Sequence, residues 1–240
     1  VGSEMCIRDS IWSPDGRQIA FTSDRNNAGT NIYIMPATGG AARQLTTHSS
    51  TETPYTFTRD GKQVVFKAHY QDPHTSARFP MSPLTEVYAV PVEGGRPVRL
   101  VDTPAEEIIF SADGKRFMYQ NIKGFEDEWR KKHVSSVTKD ILEYDMTTGK
   151  HRFIVEHDGE DRDPVYSPDG KKVYFISQRN GGDLNVYEKE IDADPKTAKA
   201  LTHFKDEPVR FLSMSDGGVL CFSYAGEIYT LVPGTVSYTH

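Results

Sequence analysis

The chain has 240 residues and a formal net charge of −6, with 28 Lys and Arg against 34 Asp and Glu. That balance argues against a general nucleic-acid binder, which needs a cationic face to neutralise phosphates. Apolar residues make up 37% of the chain, with 12 Phe and 12 Tyr, so a packed core rather than a disordered chain is expected. Apolar runs such as 219–222 stop at four residues, far short of the roughly 20 that a membrane-spanning helix needs.

One pattern returns along the chain. Ile11-Trp12-Ser13-Pro14-Asp15-Gly16 leads into Gln18-Ile19-Ala20-Phe21. The same unit recurs as Thr56-Phe57-Thr58-Arg59-Asp60-Gly61, as Ile109-Phe110-Ser111-Ala112-Asp113-Gly114 and as Val165-Tyr166-Ser167-Pro168-Asp169-Gly170. A weaker copy is Ser213-Met214-Ser215-Asp216-Gly217. The turn glycines Gly16, Gly61, Gly114, Gly170 and Gly217 are 45, 53, 56 and 47 residues apart. Each unit predicts a hairpin: Pro presets φ, Asp accepts a local backbone bond, and Gly takes positive φ without a Cβ clash. Alternating apolar residues on both sides make the strands.

A second hairpin follows each first one. Asn31-Ile32-Tyr33-Ile34 leads through Gly39-Gly40 to Gln44-Leu45-Thr46. Glu86-Val87-Tyr88 leads through Gly94-Gly95 to Val98-Arg99-Leu100, and Asp140-Ile141-Leu142 through Gly149 to Arg152-Phe153-Ile154. Leu184-Asn185-Val186-Tyr187 leads to Ala200-Leu201-Thr202. Glu227-Ile228-Tyr229 opens a last pair with no partner expected before the chain ends. Four short strands per ~45 residues is the pattern of a β-propeller blade. The expected fold is all-β: an incomplete propeller of about five four-stranded antiparallel blades from a six-bladed disc. Blades are expected at about 11–47, 54–101, 107–155, 163–203 and 208–232, within an arc over 11–234. A β-sandwich with fortuitous spacing is the remaining alternative.

Residues 1–10 and 235–240 break the pattern and resemble translated sequencing-adapter sequence, so a non-native leader and tail are expected there. The chain then reads as a fragment. Open blade faces should make it less stable and more prone to associate than a closed propeller.

Two stretches exceed the repeat, 68–85 and 120–139. Both fall between the second and third strands of a blade, and long loops on a rigid scaffold commonly carry binding. The second holds Phe125, Trp129, Arg130, Lys131, Lys132 and His133. Aromatics beside cations suit an anionic group such as a peptide carboxylate. The bland alternative is an exposed loop whose Trp packs on the disc.

Other motifs carry less. Ser136-Val137-Thr138-Lys139 matches S-x-x-K, but no S-D-N or K-T-G follows. No G-x-S-x-G and no H-E-x-x-H occurs, and no catalytic residue is assigned. His69 and His74 are five apart in a Pro-bearing loop and read as solvated. The run 157–163 is acidic but lacks the ligand ladder of a calcium loop. No metal or cofactor is expected. Cys6 and Cys221 make neither a disulfide framework nor a zinc site.

The Asp-Gly hairpin, then Asn-Ile-Tyr, then Gly-Gly and Leu-Thr, resembles the WD-like propeller repeats of TolB, tricorn protease and prolyl-oligopeptidases. Met35-Pro36-Ala37-Thr38-Gly39-Gly40, Glu52-Thr53-Pro54-Tyr55, Gly124-Phe125-Glu126-Asp127-Glu128-Trp129 and Pro208-Val209-Arg210-Phe211 are more specific. They are similar to the N-terminal propeller of bacterial tricorn-like serine peptidases. The resemblance implies a non-catalytic module that gates or orients peptides, or supports assembly, for PDZ and tail-specific-protease domains elsewhere. Its implied partners are peptides or unfolded protein, those catalytic domains and a homo-oligomer. The implied compartment is the cytoplasm, as for tricorn, or the periplasm and exterior, as for many bacterial relatives. A stand-alone TolB-like binding propeller, or the propeller of a prolyl-oligopeptidase-type hydrolase, is the alternative.

Overall fold

The computed structural model describes residues 10–26, 29–70, 84–125, 134–179, 182–234 and 238–239. They form an all-β propeller of five four-stranded antiparallel blades. Blade 1 is β1 (Ser10–Trp12), β2 (Gln18–Ser23), β3 (Asn31–Pro36) and β4 (Arg43–Gln44). Blade 2 is β5 (Glu52–Phe57), β6 (Gln63–Ala68), β7 (Glu86–Pro91) and β8 (Val98–Val101). Blade 3 is β9 (Ala105–Phe110), β10 (Arg116–Asn121), β11 (Ile141–Asp145) and β12 (Lys150–Val155). Blade 4 is β13 (Asp161–Tyr166), β14 (Lys172–Ser177), β15 (Asn185–Glu190) and β16 (Lys199–Ala200). Blade 5 is β17 (Arg210–Met214), β18 (Leu220–Tyr224), β19 (Glu227–Leu231) and β20 (Tyr238–Thr239). In every sheet the strands lie side by side in chain order. Two compact units divide the chain, Val1–Ile108 and Ile109–His240.

The first hairpin of blades 1 to 4 is closed by one bonding pattern. Ser13, Thr58, Ser111 and Ser167 donate their hydroxyls to Asp15, Asp60, Asp113 and Asp169 at 2.6–2.7 Å. The same carboxylates accept from the amides of Arg17, Lys62, Lys115 and Lys171 at 3.0–3.1 Å. Gly16, Gly61, Gly114 and Gly170 follow at φ 67–69°, where a side chain would clash with its own backbone. Blade 5 departs from the expected turn. Gly218, at φ 80°, takes the left-handed position rather than Gly217, and its amide bonds to the Ser215 carbonyl at 2.9 Å. The extra glycine lets the turn shift by one residue.

Blade 5 also carries a fourth strand that the sequence did not suggest. Pro233-Gly234 punctuates the chain after β19, but Gly234 lies at φ 89° and β20 pairs back, Leu231 opposite Tyr238 and Thr230 opposite Thr239.

Within each unit, neighbouring blades share cores. In the first unit Ala20, Ile32, Ile34 and Leu45 of blade 1 cluster with Phe57, Val64, Phe66 and Val90 of blade 2. In the second unit β14 serves two neighbours. Val173 and Phe175 join Met118, Ile141 and Ile154 of blade 3. Tyr174 and Ile176 join Val209, Leu212, Leu220 and Phe222 of blade 5. Alternate side chains point to opposite faces, so a strand buried on both faces is apolar throughout.

The first hairpins of blades 2, 4 and 5 carry bulges. Register shifts fall at Pro54/Thr56, Arg162/Val165 and Arg210/Ser213. Glu107, Asp163 and Phe211 hold one repeat position, all with positive φ between 51° and 59°. In the second unit these bulges are tied together. The Asp163 amide donates to Gln120 Oε1 of blade 3 at 2.5 Å. The Asp163 carboxylate accepts from the Phe211 and Leu212 amides of blade 5 at 3.1 and 3.4 Å.

Candidate functional site

Both long stretches sit where expected, one between β6 and β7 and the other between β10 and β11. Their tips, 71–83 and 126–133, lie outside the described residues. Among the proposed binding residues that excludes Trp129, Arg130, Lys131, Lys132 and His133, and His74 falls outside as well. Phe125 is described and strongly exposed. What the structure defines is how each loop is anchored.

The first loop is rooted on Glu52, whose side chain is buried at the start of β5. Its carboxylate accepts from Asn31 Nδ2 at 3.2 Å, from Thr46 Oγ1 and from the Tyr70 hydroxyl. The Tyr70 ring packs on His48 and Tyr88, with centroids 4.1 and 4.4 Å away. Burial, then the Glu52 carboxylate, pushes the Tyr70 hydroxyl far above the usual phenol range, so it stays a donor.

The second loop springs from a cleft of roughly 580 Å³. Lys123, Val134, Ser135, Ser136, Thr138, Asp140, Glu156, His157, Asp158 and Lys196 line it. Asp140 is buried. It pairs with Lys123 at 2.5 Å, accepts from the His157 amide at 3.4 Å, and its own amide donates to Asn121 Oδ1 at 2.8 Å. His157 Nδ1 accepts from the Gly159 amide at 2.9 Å. Burial, then the charge of Arg179, lowers the His157 pKa and favours the neutral ring. Ser135 Oγ accepts from the Val137 amide at 3.2 Å, and Thr138 donates to the Ser135 carbonyl at 2.8 Å. The S-x-x-K pair therefore lies in a turn ahead of β11, where no helix sets Lys139 against Ser136.

Beside the cleft, the acidic run 157–163 folds inward. Glu160 pairs with Arg162 at 2.8 Å, both buried. Asp161 faces Ser177 across the β13–β14 pair. Neither Asp161 oxygen has a hydrogen-bond partner, and the Ser177 hydroxyl lies nearby without reaching it. Desolvation drives the Asp161 pKa up to about 7, against the pull of Ser177 and Arg179. Among the described residues no group of three or more His, Cys, Asp or Glu is arranged to hold a metal ion. No helix among them is long and apolar enough to cross a membrane.

A polar clamp escaped the sequence reading. Asn185 Nδ2 donates to the Asp183 and Phe204 carbonyls at 3.1 and 3.0 Å. Its Oδ1 accepts from Thr202 Oγ1 and the Phe204 amide, both at 2.8 Å. Thr202 Oγ1 in turn accepts from the Val186 amide at 2.9 Å. Blade 1 repeats the device, with Thr46 Oγ1 accepting from the Ile32 amide at 2.9 Å and Asn31 bonding the His48 carbonyl at 2.7 Å. The signal was present as Asn-Ile/Val-Tyr followed by Leu-Thr, at a fixed place in two blades.

The sequence matches the tricorn protease N-terminal beta propeller domain over residues 4–237. It is 28% identical over 238 residues to the tricorn protease of Thermoplasma acidophilum, covering 95% of this chain and 20% of that protein. It is 28% identical over 231 residues to the tricorn protease homolog of Saccharolobus solfataricus, again covering 95% and 20%. A crystal structure of the tricorn protease superposes with a TM-score of 0.76 at 25% identity, covering all of this chain and 22% of that one. A putative TolB from Agrobacterium tumefaciens shares the fold, with a TM-score of 0.70 at 20% identity over 97% of this chain and 79% of its own. The chain thus spans about a fifth of the tricorn relatives it matches.

Proposed function

Because the chain belongs to the family of tricorn protease N-terminal β-propeller domains, we propose that it serves a larger serine peptidase as a non-catalytic module. It gates or orients peptides, supports assembly, and leaves bond cleavage to domains elsewhere in the protein. The whole disc has six blades on this reading, five of them in this chain. The match across 4–237 is the observation that carries it.

The second insertion is the proposed contact with peptide. Phe125, Trp129, Arg130, Lys131, Lys132 and His133 would take an anionic peptide end, the aromatics packing on its last side chain. One feature supports this: Phe125 is solvent-exposed at the edge of the loop.

The test uses the 240-residue chain and a fluorescent peptide. Binding should weaken by about tenfold, or ~1.4 kcal/mol, when the peptide is C-terminally amidated. Joint replacement of Arg130, Lys131 and Lys132 by Ala should weaken binding similarly and make it indifferent to amidation. Equal binding of both peptides by the unaltered chain would remove the carboxylate site. Hydrolysis that is lost on changing a residue within 11–232 would refute the non-catalytic assignment. The likeness to the TolB structure supports a second reading, a stand-alone binding propeller. The gene sequence downstream decides it, by a peptidase region or an early stop.

A further inference from the structure

Asp161 opens β13 at the junction of blades 3 and 4 and is fully buried. Glu52 holds the same place in blade 2: its amide donates to the Thr30 carbonyl as the Asp161 amide donates to that of Lys139. The two carboxyl groups are served differently. Glu52 takes donors from Asn31, Thr46 and Tyr70. Where Asn31 follows Thr30, Asp140 follows Lys139, and it is an acceptor already paired with Lys123. Both Asp161 oxygens are left without a hydrogen bond, as is the Ser177 hydroxyl beside them.

The donor that this junction does hold is Arg179, just past β14 and 7% exposed. Its Nη1 donates to the Lys196 carbonyl at 2.5 Å. Its Nε and Nη2, the edge that grips a carboxylate side-on, have no partner. The Arg179 charge acts on the Asp161 carboxyl, yet neither Asp161 oxygen is bonded to it. Two complementary buried groups therefore stand unpaired in one junction, at a cost in free energy. The Lys196 carbonyl belongs to 191–198, the connection between β15 and β16. Lys189 Nζ holds the Ala193 carbonyl of that strap at 3.0 Å, and its Pro195 carbonyl accepts from the Glu156 amide of blade 3 at 3.1 Å. Arg179 is thus one of several ties on a strap that borders the cleft through Lys196.

We propose that Asp161 and Arg179 form a proton-operated latch: with Asp161 protonated the guanidinium holds the Lys196 carbonyl, and with Asp161 ionised it swings to the carboxylate and frees 191–198. A carboxylate outcompetes a carbonyl for a guanidinium because both partners are then charged, in a site poor in water. Burial, Asp140 and Glu160 oppose the ionisation, while Ser177 and Arg179 favour it. Tyr187 of β15 feels both the Arg179 and the Asp161 charge. His157 and Lys189 are further titratable groups within reach of Arg179, and burial, then neighbouring positive charge, pushes both toward the neutral form. The Asp161 transition falls at about 7, so the latch is closed below that pH and open above it. These residues lie wholly inside the second unit, and the proposal does not depend on the peptidase reading.

NMR of the 240-residue chain between about pH 5.5 and 8.5 tests it. The Arg179 Nε–H signal and the Lys196 and Thr197 amides should shift together, on one titration curve with the Asp161 carboxyl carbon. Protection of the Thr197 amide against hydrogen exchange, corrected for intrinsic rate, should fall at least about tenfold on the alkaline side. Asp161→Asn keeps the shape of the protonated acid and should hold the latch closed at every pH. Arg179→Lys should leave Asp161 titrating while the strap no longer responds. His157 remains in both variants, so a strap response that survives Asp161→Asn belongs to another group and overturns the proposal. A strap indifferent to pH in the unaltered chain overturns it too, as does one that still responds in Arg179→Lys.

Discussion

Ser167 donates to Asp169 at 2.6 Å and accepts from the Lys172 amide at 2.9 Å, so one hydroxyl holds both sides of a hairpin tip. The Ser167 bond, then the Lys171 amide, holds the Asp169 carboxyl below its usual range. Ser167→Ala should cost about 1 kcal/mol, or about 2–4 °C in thermal midpoint for a chain this size. The folded pKa of Asp169 is depressed, so the carboxylate contributes fully above its unfolded value of 3.8 and its contribution is lost as pH falls through the folded value. The gap between the unaltered chain and Ser167→Ala should accordingly narrow in acid, which melting curves across pH would show. Asp161 behaves in the opposite sense. Its folded pKa is raised to about 7 by burial, so stability is full below the unfolded value and is lost as pH rises through about 7. Asp161→Asn should flatten that loss. Urea midpoints falling equally for both proteins between acid and mildly alkaline pH would contradict it.

At the scale of the strand, the Asn–Thr clamp fixes where a second hairpin begins and ends. Asn185 is buried and makes four hydrogen bonds. Asn185→Ala strands the Phe204 amide and the Thr202 hydroxyl, and should cost about 3 kcal/mol by urea denaturation. A loss no larger than that of an exposed substitution would show that the clamp is redundant. The strands themselves were legible because periodicity and turn chemistry agree: Val173-Tyr174-Phe175-Ile176 follows Pro168-Asp169-Gly170, and both signals place β14. Three features were not legible. Glu107, Asp163 and Phe211 share a bulged backbone but no side-chain type, so composition carries no trace of it. β20 lies beyond a Pro-Gly pair that reads as a stop. Glu52 reads as an ordinary strand residue, and only the fold brings Asn31, Thr46 and Tyr70 to it.

For the whole molecule, the repeat was readable because each blade restates it, and five restatements average out local ambiguity. The anchoring of the insertions was not, since Lys123, Asp140, His157 and Lys196 are drawn from separate segments of the chain. Blade order also bears on folding. Strands adjacent in the sheets are adjacent in the chain, so most pairings close short loops and little chain entropy opposes them.

A last consequence concerns β14. Both of its faces are greasy, Val173 and Phe175 on one and Tyr174 and Ile176 on the other. Sliding such a strand along its neighbour by one residue would present hydrocarbon to hydrocarbon again, so polarity offers little resistance to misalignment. The vernier must sit at the tip. Ser167, Asp169 and Gly170 lock the chain reversal to one phase, and three small residues thereby keep a six-residue strand in step.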